Sequence, residues 1–280
     1  MKELISINQK LDIFKKKSIS VPGDKSLSIR FVILSSLSNG KSIAHNLLNS
    51  QDVISTIQCI RKLGIKINIK ESHCEVFGKG LYGFKYKENI ILNAGNSGTA
   101  ARLLCAALID SNHEIKITGD ESLKKRDMSR IIEPLKVFGA NFKNDNGKLP
   151  VLIKGSKLLK PIKYTENLGS AQCKSAVMIA ALKTKGITKL KCLPSRNHSE
   201  IMFKNVLKIP IKIKKQKKYD LIEINGLKNF KSFNYKIPGD ISSAAFFIVL
   251  TLLSKNNYLT IRNVNINPSR IGIVSILNKM

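Results

Sequence analysis

Four short segments place glycine, serine, threonine or asparagine directly before a run of residues with helical character. Residues of these types leave backbone N–H groups open at the start of a helix and supply hydroxyls that cap it. An open helix start also carries the positive end of the helix dipole, so it binds anions. If the helices lie side by side, their starts predict a cleft for phosphate or carboxylate groups. The segments are Pro22-Gly-Asp-Lys-Ser26, Gly95-Asn-Ser-Gly-Thr99, Gly169-Ser-Ala-Gln172 and Pro238-Gly-Asp-Ile-Ser242.

Three arginines stand beside these segments. Arg30 lies one turn into the first helical run, and Arg126 and Arg196 follow the strand-like runs of the second and third segments. Only eight of the 48 basic residues are arginine, so three at comparable positions are informative. A guanidinium binds phosphate or carboxylate through paired N–H groups, worth about 1.5–3 kcal/mol for each charged hydrogen bond. We expect these arginines to contribute to the anion cleft.

Each feature taken alone also has a structural interpretation. A glycine-bearing turn before a helix is more often structural than functional, and an isolated Pro-Gly-Asp is a turn. Lys25 alone would be a solvated surface residue, and Gln172 alone would be a helix cap. The combination at all four segments is what favours an anion cleft.

The sequence contains no signature of other catalytic chemistries. It has no GxxxxGK[ST] phosphate loop and no HExxH zinc helix. Its five cysteines include no CxxC pair, so neither a zinc site nor a disulfide framework is indicated, and a reducing cytoplasm fits best. Cys173 stands at a helix start, where a thiol pKa can fall, but a buried and inert cysteine is the preferred interpretation. The histidines His45, His73, His113 and His198 are scattered.

The net charge of +29 would by itself suggest a nucleic-acid partner. However, the lysines are spread along the chain, and aromatic residues are 6% of the sequence with no tryptophan. Biased codon usage is the favoured explanation, and the same charge would attract a small anion. The longest nearly apolar stretch, Ala244 to Leu253, is too short to span a bilayer, and Met1 to Lys10 shows no signal-peptide core. We expect no nucleic-acid and no membrane partner.

The four segments open copies of one repeat. They begin at residues 22, 95, 169 and 238, which are 73, 74 and 69 residues apart, and each leads into a helix, a strand and a second helix. The first three copies then show a hairpin pattern, for example alternation over Ile65 to Ile69 and the turn dipeptide Asn146-Gly147. Counting one strand before each segment, the unit is βαβαββ. Three complete units occupy residues 22–237, and a fourth begins at residue 238.

The segments that carry these features resemble a known family, the 3-phosphoshikimate 1-carboxyvinyltransferases or EPSP synthases. The resemblance runs in order from about residue 8 to residue 280. It implies an α/β fold of the enolpyruvyl transferase type, with two domains of repeated βαβαββ units. Residues 21–237 would form one complete domain, and residues 1–20 with 238–280 would form part of an incomplete one. The matching segments are Val21–Arg30, Asn93–Arg102, Gly119–Met128, Ser170–Gln172, Ser195–Glu200, Ile237–Phe246 and Asn267–Gly272.

The resemblance implies transfer of an enolpyruvyl group from phosphoenolpyruvate to the 5-hydroxyl of shikimate 3-phosphate, with release of phosphate, in aromatic amino-acid (chorismate) biosynthesis. It implies no metal and no organic cofactor, and a cytoplasmic monomer. The implied ligands of shikimate 3-phosphate are Lys25, Ser26, Arg30, Ser170, Ala171, Gln172 and Arg196. The implied ligands of phosphoenolpyruvate are Lys25, Gly98, Arg126 and Gln172.

Two residues depart from the family pattern. Ile29 replaces a commonly polar residue, and Asp127 replaces the usual proline after Arg126, where we expect its carboxylate to weaken the grip of that arginine. The family's catalytic base and two later motifs would lie beyond residue 280, in a stretch on the order of 150 residues. We therefore expect no turnover from the 280-residue chain alone.

Alternatives to this function remain at the level of sequence. The chain could be a catalytically inactive substrate-binding fragment. It could also resemble UDP-N-acetylglucosamine 1-carboxyvinyltransferase, which shares the fold, although the Pro-Gly-Asp-Lys-Ser and Ser-Ala-Gln motifs fit the shikimate enzyme better. A nucleic-acid-binding role rests on net charge alone.

Overall fold

The computed structural model describes residues 17–226, 229–254 and 257–280, so the N-terminal segment examined for a signal peptide lies outside the described residues. The chain divides into two compact units. The continuous unit is Lys25–Ile237, and the split unit combines Met1–Asp24 with Pro238–Met280. That the continuous unit is one complete domain of the family, and the split unit part of another, stays a prediction.

The chain first forms β1 (Lys17–Ser20) of the split unit and then three copies of the repeat. The first copy contains α1 (Lys25–Ser36), β2 (Asn39–His45), α2 (Gln51–Lys62), β3 (Lys66–Lys70) and β4 (His73–Lys79). The second contains β5 (Ile90–Asn93), α3 (Gly98–Ala107), β6 (Ile115–Thr118), α4 (Glu121–Lys124), α5 (Ser129–Val137), β7 (Asn141–Lys143) and β8 (Val151–Lys154). The third contains β9 (Lys163–Glu166), α6 (Ala171–Ala181), β10 (Ile187–Cys192), α7 (His198–Ile201), β11 (Ile211–Lys215) and β12 (Asp220–Asn225).

The remaining elements return the chain to the split unit. They are β13 (Asn234–Lys236), which still belongs to the continuous unit, and then α8 (Ile241–Leu252), β14 (Leu259–Arg262) and α9 (Gly272–Leu277). The described part of the split unit has one two-stranded parallel sheet, β1-β14. A small cluster of Val21, Ile241 and Ala244 forms its buried core.

Three four-stranded sheets share one plan in the continuous unit. Their orders are β13-β2-β4-β3, β5-β6-β8-β7 and β9-β10-β12-β11. In each sheet the first two strands are parallel, and an antiparallel hairpin completes the sheet. The predicted hairpins are therefore confirmed. Asn146 and Gly147 adopt φ values of 47° and 70°, the left-handed conformation that favours these two residues in a tight turn.

The first copy differs from the predicted unit in the origin of one strand. The strand before its glycine-bearing segment, β1, pairs with β14, and β13 occupies the position beside β2. The exchange occurs where the two Pro-Gly-Asp segments meet as an antiparallel bridge, Gly23 with Gly239. There the Asp24 N–H donates to the Pro238 carbonyl at 2.8 Å, and the Asp240 N–H donates to the Pro22 carbonyl at 2.9 Å.

Helices α1, α3 and α6 form the centre of the continuous unit. Most of their residues are buried, and their polar side chains lie in the first two turns or, in α1, also at the C-terminal end. The serines within α1 are buried but satisfied, because the Ser35 hydroxyl donates to the Phe31 carbonyl and the Ser36 hydroxyl to the Ile33 carbonyl. The outer helices α2 and α5 bury one face only. No helix among the described residues is both long and apolar enough to cross a membrane.

All five cysteines are buried as free thiols. Burial raises the pKa of Cys59, Cys74, Cys105 and Cys173 to about 12, and that of Cys192 to about 11. Because the thiolate is the reactive species, we expect iodoacetamide at pH 8 to label none of them in the folded chain and all five in denaturant. Mass spectrometry counts the labels. Rapid labelling of Cys173 under native conditions would contradict the inert character assigned to this thiol.

Candidate anion-binding site

The starts of α3 and α6 have the capped geometry that the sequence predicts. The Ser97 hydroxyl accepts a hydrogen bond from the Ala100 N–H, and the Ser170 hydroxyl accepts one from the Cys173 N–H, each at 3.2 Å. Gly95 and Gly169 precede these caps with φ values of 59° and 65°, a conformation in which glycine carries no steric penalty. A hydroxyl that accepts from the backbone can still donate its own proton to a ligand.

A cleft of about 460 Å³ lies where α1, α3 and α6 begin. Six predicted ligands of shikimate 3-phosphate line it together: Ser26, Arg30, Ser170, Ala171, Gln172 and Arg196. The structure adds four polar side chains that sequence reasoning did not assign: Thr99, Arg130, Ser195 and His198. The Ser195 hydroxyl is buried without a hydrogen-bond partner in the part of the chain that the structure describes, which fits a group reserved for a ligand.

Arg30 is the most rigidly held of the cleft residues. It is 4% exposed. Its Nε donates to the Ser199 hydroxyl and its Nη2 to the Ser175 hydroxyl, both at 2.9 Å, while Nη1 donates to the Ser26 carbonyl at 3.1 Å. These three acceptors are neutral groups, so the bonds fix the guanidinium without cancelling its charge. Such an arrangement prepares a positive group for an anion before the anion arrives.

Gln172 connects the start of α6 to the start of α3. Its amide nitrogen donates to the Thr99 hydroxyl at 2.8 Å, and its amide oxygen accepts from Arg102 Nη1. Both ends of the amide are therefore fixed. This position agrees with the predicted role of Gln172 at both substrates, because the side chain lies between the Arg30 cleft and the arginines beside Gly98.

Gly98, Arg102 and Arg126 form a second cationic cluster next to the cleft. A Cβ atom placed on Gly98 would lie 3.1 Å from Arg102 Nη1 and 3.3 Å from Arg126 Nη1, so the glycine leaves room between two guanidinium groups. Arg126 is oriented by the Asn96 side-chain oxygen, which accepts from its Nη2 at 2.7 Å. Burial lowers the pKa of Arg102, and the positive charges of Arg126 and Arg130 lower it further.

The Asp127 carboxylate contacts α5 rather than Arg126, contrary to the expectation from sequence. Its Oδ1 accepts from the Ser129 N–H at 2.9 Å, and its Oδ2 lies 3.5 Å from Arg130 Nε. Burial acts to raise the pKa of Asp127, but the bonds from Ser129 and the charges of Arg130 and Arg102 lower it overall. Asp127 therefore accepts from the first residue of α5 in a local turn and also pairs with Arg130.

Lys25 is the predicted ligand that the structure does not place in the cleft lining. Its Nζ lies 3.0 Å from Asp52 Oδ2, and its side chain is half-exposed. An exposed ion pair of this kind contributes little to stability, so a ligand can replace Asp52 at small cost. Contact of Lys25 with either substrate stays a prediction that requires this rearrangement.

The residues that the sequence analysis did not assign differ in how clearly the sequence indicates them. Arg102 lies four positions after Gly98 on one helix face, so spacing alone could have identified it. Arg130 lies one turn beyond the cap of α5, and no pattern in the sequence indicates that this turn faces the cleft. Ser175 and Ser199 orient Arg30 across 145 and 169 residues of chain, a separation that leaves no local trace.

A cleft lined by arginine and hydroxyl side chains thus lies where three helices begin, in a unit built from βαβαββ repeats. Residues 15–280 match the profile of the family described as EPSP synthase (3-phosphoshikimate 1-carboxyvinyltransferase), and the chain belongs to this family. The resemblance seen in the sequence and the expected fold class are thereby confirmed.

Individual relatives agree with this assignment. The 3-phosphoshikimate 1-carboxyvinyltransferase of Thermoanaerobacter sp. (strain X514) is 41% identical over 279 residues, which are 99% of this chain and 64% of the relative. That of Petrotoga mobilis is 42% identical over 267 residues, or 94% of this chain and 60% of the relative. The structure of EPSP synthase from Acinetobacter baumannii superposes with a TM-score of 0.86 at 34% identity, covering 95% of this chain and 59% of that one. The chain thus spans about 60% of the length of these relatives.

Gly98 provides a test of the second cluster. We expect Gly98→Ala to weaken binding of phosphoenolpyruvate at least tenfold, because the added methyl displaces Arg102 and Arg126, and one charged hydrogen bond is worth about 1.5–3 kcal/mol. The ligand-induced rise in the thermal unfolding midpoint measures the change.

The matched control is Gly272→Ala, which also alters the first residue of a helix but has no atom within 4 Å of the new methyl. Its ligand-induced shift should equal that of the unmodified chain. An unchanged shift in Gly98→Ala would show that the glycine does not border the anion.

Proposed function

We propose that the protein containing this chain transfers the enolpyruvyl group of phosphoenolpyruvate to the 5-hydroxyl of shikimate 3-phosphate and releases phosphate. The observation that carries the proposal is the cleft where three buried helices begin, lined by arginine and hydroxyl side chains, among which Arg30 is held in place by hydrogen bonds to Ser175 and Ser199. Relatives named 3-phosphoshikimate 1-carboxyvinyltransferase support the choice of reaction.

Shikimate 3-phosphate would occupy the cleft itself. Its phosphate carries a charge of roughly −1.5 to −2 at neutral pH, which suits Arg30 and Arg196 together with the N–H groups at the start of α6. Ser26 and Ser170 would donate hydroxyl protons to the remaining oxygens. Because Ser175 and Ser199 already hold Arg30, binding would require little reorganisation of the protein.

Phosphoenolpyruvate would lie against Gly98, where the missing side chain leaves space between Arg102 and Arg126. In the proposed reaction the 5-hydroxyl loses its proton as its oxygen bonds to C2, and C3 gains a proton. A proton then leaves C3 as the C2–O bond to the phosphate breaks, which restores the C2–C3 double bond and releases inorganic phosphate. Arg126 would stabilise the charge on the departing phosphate, and Gln172 would hold the two substrates in one orientation. Lys25 would contact both substrates after leaving Asp52. The residues of this chain thus bind and orient the reactants.

The proposal includes the setting of the enzyme. We infer a cytoplasmic monomer in aromatic amino-acid biosynthesis, with two small anions rather than nucleic acid or membrane as its partners. Five buried free thiols fit a reducing compartment. The positive charge fits attraction of polyanionic substrates.

Calorimetric titration of the 280-residue chain with shikimate 3-phosphate tests the binding half of the proposal. We expect Lys25→Ala and Arg30→Ala each to weaken binding by at least about tenfold, since each removes charged hydrogen bonds of about 1.5–3 kcal/mol. Lys136→Ala, at the far end of α5, removes the same charge and should have no effect. Equal affinities for the unmodified chain and both cleft variants would refute the assignment.

Three further measurements separate the alternatives. Binding of UDP-N-acetylglucosamine in place of shikimate 3-phosphate would support the related carboxyvinyltransferase. Phosphate release from the two substrates would be compared for this chain alone and for the chain fused to the C-terminal segment of a relative. If neither the chain alone nor the fused chain releases phosphate, the chain would be interpreted as a binding fragment. Retention on DNA that falls steeply with rising salt concentration would support a nucleic-acid role.

A further inference from the structure

Arg130 lies in the cleft without a function in the scheme above. It is the second residue of α5 and lines the same cavity as Ser26, Arg30 and Arg196. Its backbone is fixed beside the start of α6, because the Cys173 thiol donates to the Arg130 carbonyl at 3.1 Å. The buried residues Ile131, Ile132 and Leu135 hold the same helix against the core. The backbone of Arg130 is therefore held in place beside the other residues that line the cleft.

The side chain of Arg130 is held only loosely. It is about half-exposed, and its nearest acid is Asp127, with Nε and Oδ2 separated by 3.5 Å. That separation exceeds a normal N–H···O hydrogen bond, so the contact is a weak, solvent-exposed ion pair. An arginine in such a pair can turn to a stronger acceptor without losing much.

Asp127, in contrast, is anchored independently of Arg130. Its Oδ1 accepts from the Ser129 N–H at 2.9 Å, and its backbone carbonyl accepts from Arg102 Nη2 at 2.8 Å. The carboxylate thus stays in place whether or not Arg130 contacts it. The positive charges of Arg130 and Arg102 both act on this carboxylate.

We propose that Arg130 is a further phosphate-binding residue of the cleft, and that Asp127 is an internal anion that occupies it until the phosphate of the ligand replaces the carboxylate. The inference rests on the function proposed above and adds to it a contact that regulates phosphate binding. A bound phosphate offers Arg130 two oxygens in bidentate geometry, which is stronger than the long contact with Asp127. Asp127 therefore lowers the affinity for phosphate, and Arg130 raises it.

The test compares Arg130→Gln and Asp127→Asn, singly and together, with Lys136→Gln as a control on the same helix. Calorimetry measures binding of three probes: shikimate 3-phosphate, shikimate and inorganic phosphate. Arg130→Gln should weaken both phosphate-bearing probes by at least tenfold and leave shikimate unchanged. Asp127→Asn, which keeps an oxygen to cap Ser129, should tighten both by a few fold. That gain should vanish when Arg130 is also glutamine, because the two residues act through each other.

Each other outcome is decisive. The inference is overturned if Arg130→Gln binds the two phosphate-bearing probes as tightly as the unmodified chain does. It is also overturned if this variant loses as much affinity for shikimate as for those two probes. If Lys25→Ala and Arg30→Ala weaken shikimate 3-phosphate while Arg130→Gln does not, the proposed function stands and only the role of Arg130 falls. If shikimate 3-phosphate does not bind but inorganic phosphate binds and depends on Arg130, the inference stands without the proposed function. If neither shikimate 3-phosphate nor inorganic phosphate binds, both the inference and the proposed function are rejected. Arg130→Lys, which keeps the charge, should restore part of the affinity and so distinguishes lost charge from lost fold.

Discussion

Burial of the central helices α1, α3 and α6 is the constraint on which the rest of the continuous unit depends. Their polar side chains lie in the first two turns or at the C-terminal end, so polar groups concentrate towards the two ends of the helices. At one pole the first turns of α1, α3 and α6 bring Ser26, Thr99 and Gln172 to one cleft. At the other pole Lys183, buried completely, pairs with Asp110 and ties the chain after α6 to the chain after α3. Burial lowers the pKa of Lys183, and the Asp110 carboxylate opposes that change. Removing either residue would leave the other charge without its partner, so both are needed to hold the helices together.

Concentrating cationic groups at one pole creates an electrostatic problem, which the structure solves in two ways. Arg30 is fixed by hydroxyl groups and a carbonyl, which orient its charge without cancelling it. Arg130 instead pairs with the Asp127 carboxylate, Arg102 donates to the Asp127 backbone carbonyl, and Arg126 donates to the Asn96 side-chain oxygen. Under the proposed function, a polyanionic ligand would supply the counter-charge to both sets at once.

The sequence predicted the features that are encoded locally. Asn146-Gly147 identifies its hairpin because few other residues accept the turn conformation, and glycine-bearing segments identify helix starts because capping acts within one turn. The features that it did not predict arise from pairing across long stretches of chain. No local pattern distinguishes the sequence of β1 from that of β13. The sequence therefore could not predict that β13, rather than β1, lies beside β2. The direction of a flexible side chain is equally undetermined by sequence, so the contact of Asp127 with Arg130 was not predicted.

The bridge between the two Pro-Gly-Asp segments brings together the two points at which the chain enters and leaves the continuous unit. Asp24 and Pro238 flank the continuous unit and are joined by a hydrogen bond of 2.8 Å, so the chain enters and leaves that unit at one point. A body of 213 residues from Lys25 to Ile237 therefore has the geometry of an inserted domain. Adjacent termini of this kind are what circular permutation and domain transplantation require. The three-copy body could be excised, rejoined by a short linker or carried into another host chain without any strand of its sheets being cut.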